Sequence, residues 1–324
     1  MMYVGLDVHK RFCHGTIMSE DGVIVKQERF SNGPRGLDAF MGGVDGARVV
    51  MEAGYCWQPL YDRLEVEGHD VRLAHPLKTK AIAQAKVKTD KIDSETLAHL
   101  LRADLVPEAW VPPPEIRALR ELVKRRAFLV RLRTRVKNRV HAELAKRDIT
   151  PVKPPFTRKG RAVLRGLGID AVSQLLPVLE VLDRQIGEVS AVIDRTTLGN
   201  RDAMLLTTMP GVGYYIALLL VAEIGDVHRF PDAEKICACM GLVPSVRQSG
   251  SRTIYGPITK EGSRWVRWAL TQAVHTHVRY DTRLTRFYHR LAKKKGTQVA
   301  TVATARKMLK VIYWMLKEQE PYRP

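Results

Sequence analysis

Cysteine is scarce in this chain. Cys13, Cys56, Cys237 and Cys239 are the only four in 324 residues. The last two form a CxC with no second pair at zinc spacing, so neither a disulfide framework nor a structural zinc site is expected. A reduced, cytoplasmic setting fits that use of thiols. No run of 18 apolar residues occurs, so no membrane span is expected. The opening Met1-Met2-Tyr3-Val4-Gly5-Leu6-Asp7 lacks a basic segment followed by an apolar one, and is not expected to be a signal peptide. Internal repeats and low-complexity tracts are not apparent. Acidic residues are too few to balance the basic ones: 34 Asp and Glu face 53 Lys and Arg, a net charge of +19.

Apolar residues make up 45% of the chain, enough to bury a core, which excludes a wholly disordered basic protein. Length alone suggests about two domains. A pI of about 9.9 in a folded protein points to a polyanionic partner, most often nucleic acid. The charge is unevenly spread. Residues 1–113 hold 14 Lys and Arg against 16 Asp and Glu, residues 114–165 hold 17 against 4, and residues 166–324 hold 22 against 14. A solvated helix face does not account for the middle segment, because like charges one turn apart repel. A phosphate backbone relieves that repulsion and releases counterions on binding.

The N-terminal third reads as a three-strand antiparallel meander, Tyr3 to Val8, Phe12 to Met18 and Val23 to Phe30, with a turn at Glu20-Asp21-Gly22. A short helix, a fourth strand (Ala47 to Glu52), a helix (Tyr55 to Glu67) and a fifth strand (Val71 to Ala74) follow. Leu77 to Lys88 is basic without clean periodicity. Asp90 to Leu105 reads as a helix, and Pro107 to Pro114 breaks the chain. Glu115 to Arg147 has no Gly or Pro and reads as one long helix. After a break from Ile149 to Gly168, Leu175, Leu179, Leu182, Ile186, Val189 and Ile193 form a short heptad seam. These two helices are expected to form an antiparallel hairpin within the chain or a dimerising coiled coil. Pro210-Gly211-Val212-Gly213 before the apolar helix Tyr215 to Ile224 has the outline of a helix-hairpin-helix, whose turn can present N–H groups to phosphate. Val246 to Arg252 reads as a polar, flexible loop, and Val266 to Tyr280 and Thr301 to Lys317 as amphipathic helices.

Four carboxylates stand out by placement. Asp7 closes the first strand and Glu52 the fourth, and Asp90 and Asp93 begin a helix. In a sheet ordered 3-2-1-4-5, Asp7 and Glu52 are neighbours at one end, and a helix starting above that end brings Asp90 and Asp93 beside them. Such a cluster repels itself unless a cation lies between its members. Hard oxygen donors on an open site suit Mg²⁺, and two such ions can clamp the attacking and leaving oxygens of a phosphodiester. Each acid taken alone is better explained as a structural cap, helix-start or first-turn residue. Their order after a three-strand meander is the ribonuclease H-like layout.

Gly5-Leu6-Asp7-Val8-His9-Lys10, Met51-Glu52-Ala53 and Lys88-Thr89-Asp90-Lys91-Ile92-Asp93 together resemble the DEDD transposases of bacterial insertion sequences, the bridge-RNA-guided recombinases related to the pilin-gene invertases. Pro210-Gly211-Val212-Gly213, Gly241-Leu242-Val243-Pro244 and Arg247-Gln248-Ser249-Gly250 extend the resemblance, in order, over nearly the whole chain. It implies an α/β plus α architecture: a RuvC/ribonuclease H-like DEDD domain (1–113), a basic coiled-coil helical region (114–200) and a mainly helical C-terminal transposase domain (201–324) with a helix-hairpin-helix-like motif. It implies Mg²⁺ on Asp7, Glu52, Asp90 and Asp93, and a nucleophilic serine matched best by Ser249, with Ser251 two residues on. It also implies target and donor DNA, a noncoding bridge RNA and further copies of the chain as partners, and a bacterial cytoplasm as the setting. Arg247 and Arg252 flank the serine as phosphate holders or as solvated loop arginines. Two other readings compete: a metal-dependent junction-resolving nuclease that uses the carboxylates alone, and a non-catalytic nucleic-acid scaffold.

Overall fold

The computed structural model describes residues 1–83, 89–151, 154–250 and 252–324. Two compact units divide at Val111 and Pro112.

The first unit contains β1 (Met2–Val8), β2 (Phe12–Ser19), β3 (Ile24–Ser31), α1 (Pro34–Met41), β4 (Arg48–Glu52), α2 (Trp57–Val66), β5 (Asp70–Ala74), α3 (Pro76–Ile82) and α4 (Asp90–Arg102). Its sheet runs β3-β2-β1-β4-β5, the order expected from the sequence. β1 pairs antiparallel with β2 and parallel with β4. Strand alternation sorts the two faces. Val4, Leu6, Val49 and Met51 pack with α1 and α2 residues such as Leu37, Phe40 and Leu64 on one side. Val50 and Ala74 pack with Leu97 and Leu101 of α4 on the other. Lys26 donates to the carbonyls of Ala39 and Phe40 at 2.9 and 3.0 Å, closing the end of α1. The segment Leu77 to Lys88 contains most of the short helix α3, and its residues 84–88 lie outside the described residues.

The second unit contains α5 (Pro114–Ala145), α6 (Arg158–Gly166), α7 (Asp170–Leu198), α8 (Arg201–Thr207), α9 (Tyr214–Ile224), α10 (Ala233–Cys239), β6 (Pro244–Ser249), β7 (Arg252–Ile258), α11 (Arg264–His277), α12 (Arg283–Lys295) and α13 (Thr297–Glu318). α5 and α7 pair antiparallel. Of the two arrangements the heptad seam allowed, the structure has the intrachain one: Leu176 and Leu179 pack with Val140 and Leu144 at one end, and Ile193 joins Val123 at the other. α9 is apolar almost all round and buried from Ala217 to Ile224, as the central helix of this core must be. Of the stretch Val246 to Arg252, expected as a flexible loop, Val246 to Ser249 belong instead to β6 and Arg252 to β7, paired as a two-stranded hairpin; Ser251 is outside the described residues. The hairpin's polar residues carry no alternation because most of β6 and β7 is exposed.

Candidate active site

β1 and β4 are in register through Leu6 and Met51. Asp7 and Glu52 each follow by one residue, so they leave the same end of the sheet on its α4 face. α4 lies directly against β1 at Gly5, where an added Cβ would stand 2.1 Å from the Ser94 carbonyl oxygen and 2.6 Å from the Ala98 nitrogen. Only glycine admits that approach. Ser94 is locked from beneath: its hydroxyl lies 2.9 Å from that of Thr16 and 3.2 Å from His14 Nδ1, and Gln27 donates to Thr16 at 2.9 Å. Thr89 caps the helix by accepting the Ile92 N–H at 3.2 Å, and the first turn then presents Asp90 and Asp93.

His9 stands between two of the acids. Its Nε2 is 3.1 Å from Asp7 Oδ2 and 3.4 Å from Asp90 Oδ1. One ligand atom from each of Asp7, His9 and Asp90 falls within 4.8 Å of the others. Glu52 and Asp93 are outside that closest trio, although Asp93 acts on Asp7 through space. The Asp7 side chain is 16% exposed and that of Asp90 46%, so the group is floored by protein and open on the helix side. Burial raises the Asp7 carboxyl above its ordinary range; Asp90 and Asp93 push the same way, and His9 opposes them. A divalent cation would favour the ionised form instead. Carboxylate oxygens, one imidazole and an open side for water or phosphate fit Mg²⁺ or a similar ion. Sequence reasoning missed His9 as a participant. The signal was its position two residues beyond Asp7, just past the strand end. Gly5 carried a second signal, a glycine facing a helix.

Ser249 belongs to the second unit, at the exposed end of β6. It pairs with Arg252 across the hairpin, and Gly250 takes φ +55° in the turn. Ser251 lies outside the described residues. Directly opposed residues and those two apart share a face, so Arg247, Ser249 and Arg252 line one side of the hairpin. Among the described residues the Ser249 hydroxyl has no hydrogen-bonding partner. In the helix-hairpin-helix-like turn, Gly211 takes φ +90° and abuts Ala273, whose carbonyl oxygen would lie 2.4 Å from an added Cβ. His277 Nδ1 donates to the Pro210 carbonyl at 2.8 Å, tying the turn to α11.

Part of the positive charge of the middle segment is structural. Arg120 donates to the carbonyls of Ala222 and Glu223 at 2.7 and 3.0 Å. Arg133 and Arg161 both pair with Asp183. Arg139, Lys146 and Arg147 surround the buried Glu143. Arg125, Arg131 and Arg135 remain exposed.

Two family profiles match this sequence. That of the IS110-type DEDD transposases covers residues 4–147, and that of the transposase IS116/IS110/IS902 family covers residues 203–289. The transposase for insertion sequence element IS1111A of Coxiella burnetii is 26% identical over 85% of this chain and 79% of its own length. The transposase for IS1328 of Yersinia enterocolitica is 24% identical over 98% of this chain and 96% of its own. The pilin gene-inverting protein of Moraxella bovis is 26% identical over 99% and 97%. No helix among the described residues is long and apolar enough to cross a membrane.

Proposed function

The chain belongs to the IS110/IS116/IS902 family of DEDD transposases and is a DNA transposase, and from that premise we propose that it exchanges DNA strands through a phosphoserine intermediate on Ser249, at Mg²⁺ held by Asp7, Glu52, Asp90 and Asp93. The observation that carries the reading is the meeting of Asp7, from a strand end, with Asp90, from a helix start, around His9. Bound Mg²⁺ supplies positive charge to the phosphoryl oxygens as the phosphorus changes partners. The carboxylates bind and orient that charge. His9, within reach of Asp7 and Asp90, holds their oxygens apart in a fixed geometry. The Ser249 Oγ attacks phosphorus, the bond to a sugar oxygen breaks, and the serine proton ends on the departing sugar hydroxyl. A hydroxyl of the other strand end then attacks the phosphoserine and returns the proton to Ser249. One phosphodiester is exchanged for another, so no energy source is required. Arg247 and Arg252 hold the phosphate from the serine's face of the hairpin.

The Ser249 hydroxyl is hydrogen-bonded to no base among the described residues, and a serine hydroxyl needs activation. That supports a composite site in which copies of the chain complete one another. The positive second unit supports a nucleic-acid guide, the bridge RNA of the family, which pairs with target and donor DNA while the protein reads backbone and shape. The test is to incubate protein, guide RNA and labelled DNA with Mg²⁺ and to map the DNA-linked peptide by mass spectrometry. The adduct is expected on Ser249, absent from S249A and absent with chelator. Strand cleavage by S249A without an adduct would favour the carboxylate-only nuclease.

A further inference from the structure

A cavity of about 670 Å³ opens between α5, α9 and α11, within the ~300–1,000 Å³ range of small-ligand sites. Its walls are aromatic and its rim is cationic. Tyr215 and Trp268 meet edge to face with centroids 6.2 Å apart. The Arg126 guanidinium lies over Tyr215 at 4.4 Å, and that of Arg131 over Trp265 at 4.5 Å. Arg135 and Arg264 complete the rim. The walls are held in place: Arg126 donates to Ser190 at 2.8 Å, and the Tyr215 hydroxyl donates to the Val123 carbonyl at 3.3 Å.

Two features of this cavity ask for a ligand. Among the described residues, none of these four arginines forms an ion pair, in contrast to Arg133 of α5 and Arg161 of α6, which both pair with Asp183. Four like charges around one opening are relieved by an anion. Trp268 is 45% exposed, although Trp is a residue that folding normally covers. An acidic peptide would satisfy the arginines and leave the indoles bare; an apolar ligand would do the reverse. A flat aromatic group carrying a phosphate satisfies both. A paired base keeps its faces inside the duplex stack, so the partner must be unstacked.

We propose that this cavity receives one unpaired nucleotide of a nucleic-acid strand, its base against Trp268 and Trp265 and its phosphate on Arg131, Arg135 and Arg264. The site rests on the reading of the second unit as a nucleic-acid surface, and deepens it by naming the feature recognised. The test uses the full chain and fluorescence anisotropy with three labelled probes of one sequence: a single-stranded ribo-oligonucleotide, its deoxy counterpart and the DNA duplex. W268A is expected to weaken single-strand binding by about tenfold or more, from the loss of one stacked base. W268F is expected to restore most of it, and duplex binding is expected to stay within about twofold of wild type. Whichever sugar shows the Trp268 dependence identifies the strand. Equal losses for duplex and single strands, or unchanged single-strand affinity in both W268A and W265A, would overturn the pocket while leaving the wider surface intact. Absence of any binding by the wild-type chain would overturn the surface and the pocket together.

Discussion

Gly5 decides whether the carboxylate site exists, because α4 touches β1 through the space a side chain would fill. Gly5→Ala is expected to cost about 2–4 kcal/mol in denaturant unfolding and to depress strand exchange further, by moving Asp90 away from Asp7. Asp7 itself carries a pH signature. Its carboxyl is raised in the folded state, chiefly by burial. The stability linked to it is therefore present below the ordinary carboxylate range and lost as pH rises through the raised value. Asp7→Asn is then expected to melt above wild type in chelator at neutral pH, yet to lose about a hundredfold or more in activity. Added Mg²⁺ is expected to stabilise wild type and leave the variant nearly unmoved; equal stabilisation of both would remove Asp7 from the metal site. His277 gives the opposite slope. Burial lowers its pKa, while Pro210 and Thr282 occupy both ring nitrogens at 2.8 Å. Stability is expected to fall as pH drops below about 6.5, and His277→Gln is expected to flatten that slope in pH-dependent melting.

At the scale of elements, α9 ends in carbonyls that water does not reach, and Arg120 of α5 caps two of them. Arg120→Ala is expected to destabilise the chain by about 2–4 kcal/mol, measured by denaturant unfolding, since both carbonyls lose a charged donor. The elements legible in the sequence were those with a strong period or a strong cap. The meander followed from alternating apolar residues and α4 from Asp90 and Asp93 as first-turn acids, while the sheet order came with the ribonuclease H-like layout. The short basic helices α3, α6 and α12 did not, because their exposed faces outweigh the few positions they bury. The β6–β7 hairpin was hidden for a related reason: polar residues on an exposed ribbon show no alternation. Within the site, the acids were legible as strand-end and helix-start residues. His9 was not, because its role depends on where α4 begins in space.

At the scale of the whole molecule, charge is segregated between a nearly neutral N-terminal third and a strongly basic remainder. Affinity for any nucleic acid is therefore expected to fall steeply with salt. Neutralising Arg125, Arg131 and Arg135 together is expected to reduce the slope of log K against log salt by about one for each phosphate no longer neutralised. Arg133→Ala is expected to leave that slope unchanged and to lower the melting temperature, because Arg133 is committed to Asp183 at 3.1 Å. If both variants changed the slope alike, the division between structural and binding arginines would be wrong.

The α5–α7 pair runs between two separate hydrophobic clusters, one around Val140, Val172 and Leu176, the other around Val123 and Ile193. Its rungs keep step: Arg126 meets Ser190 and Arg133 meets Asp183, seven residues on along one helix and seven back along the other. Such a pair behaves as a ruler. Seven residues added to each helix at matching positions would carry the α6 end outward by about 10 Å and leave both terminal clusters chemically untouched. Engineered variants are thus expected to change the reach of this helix pair in whole heptads without redesign of either end.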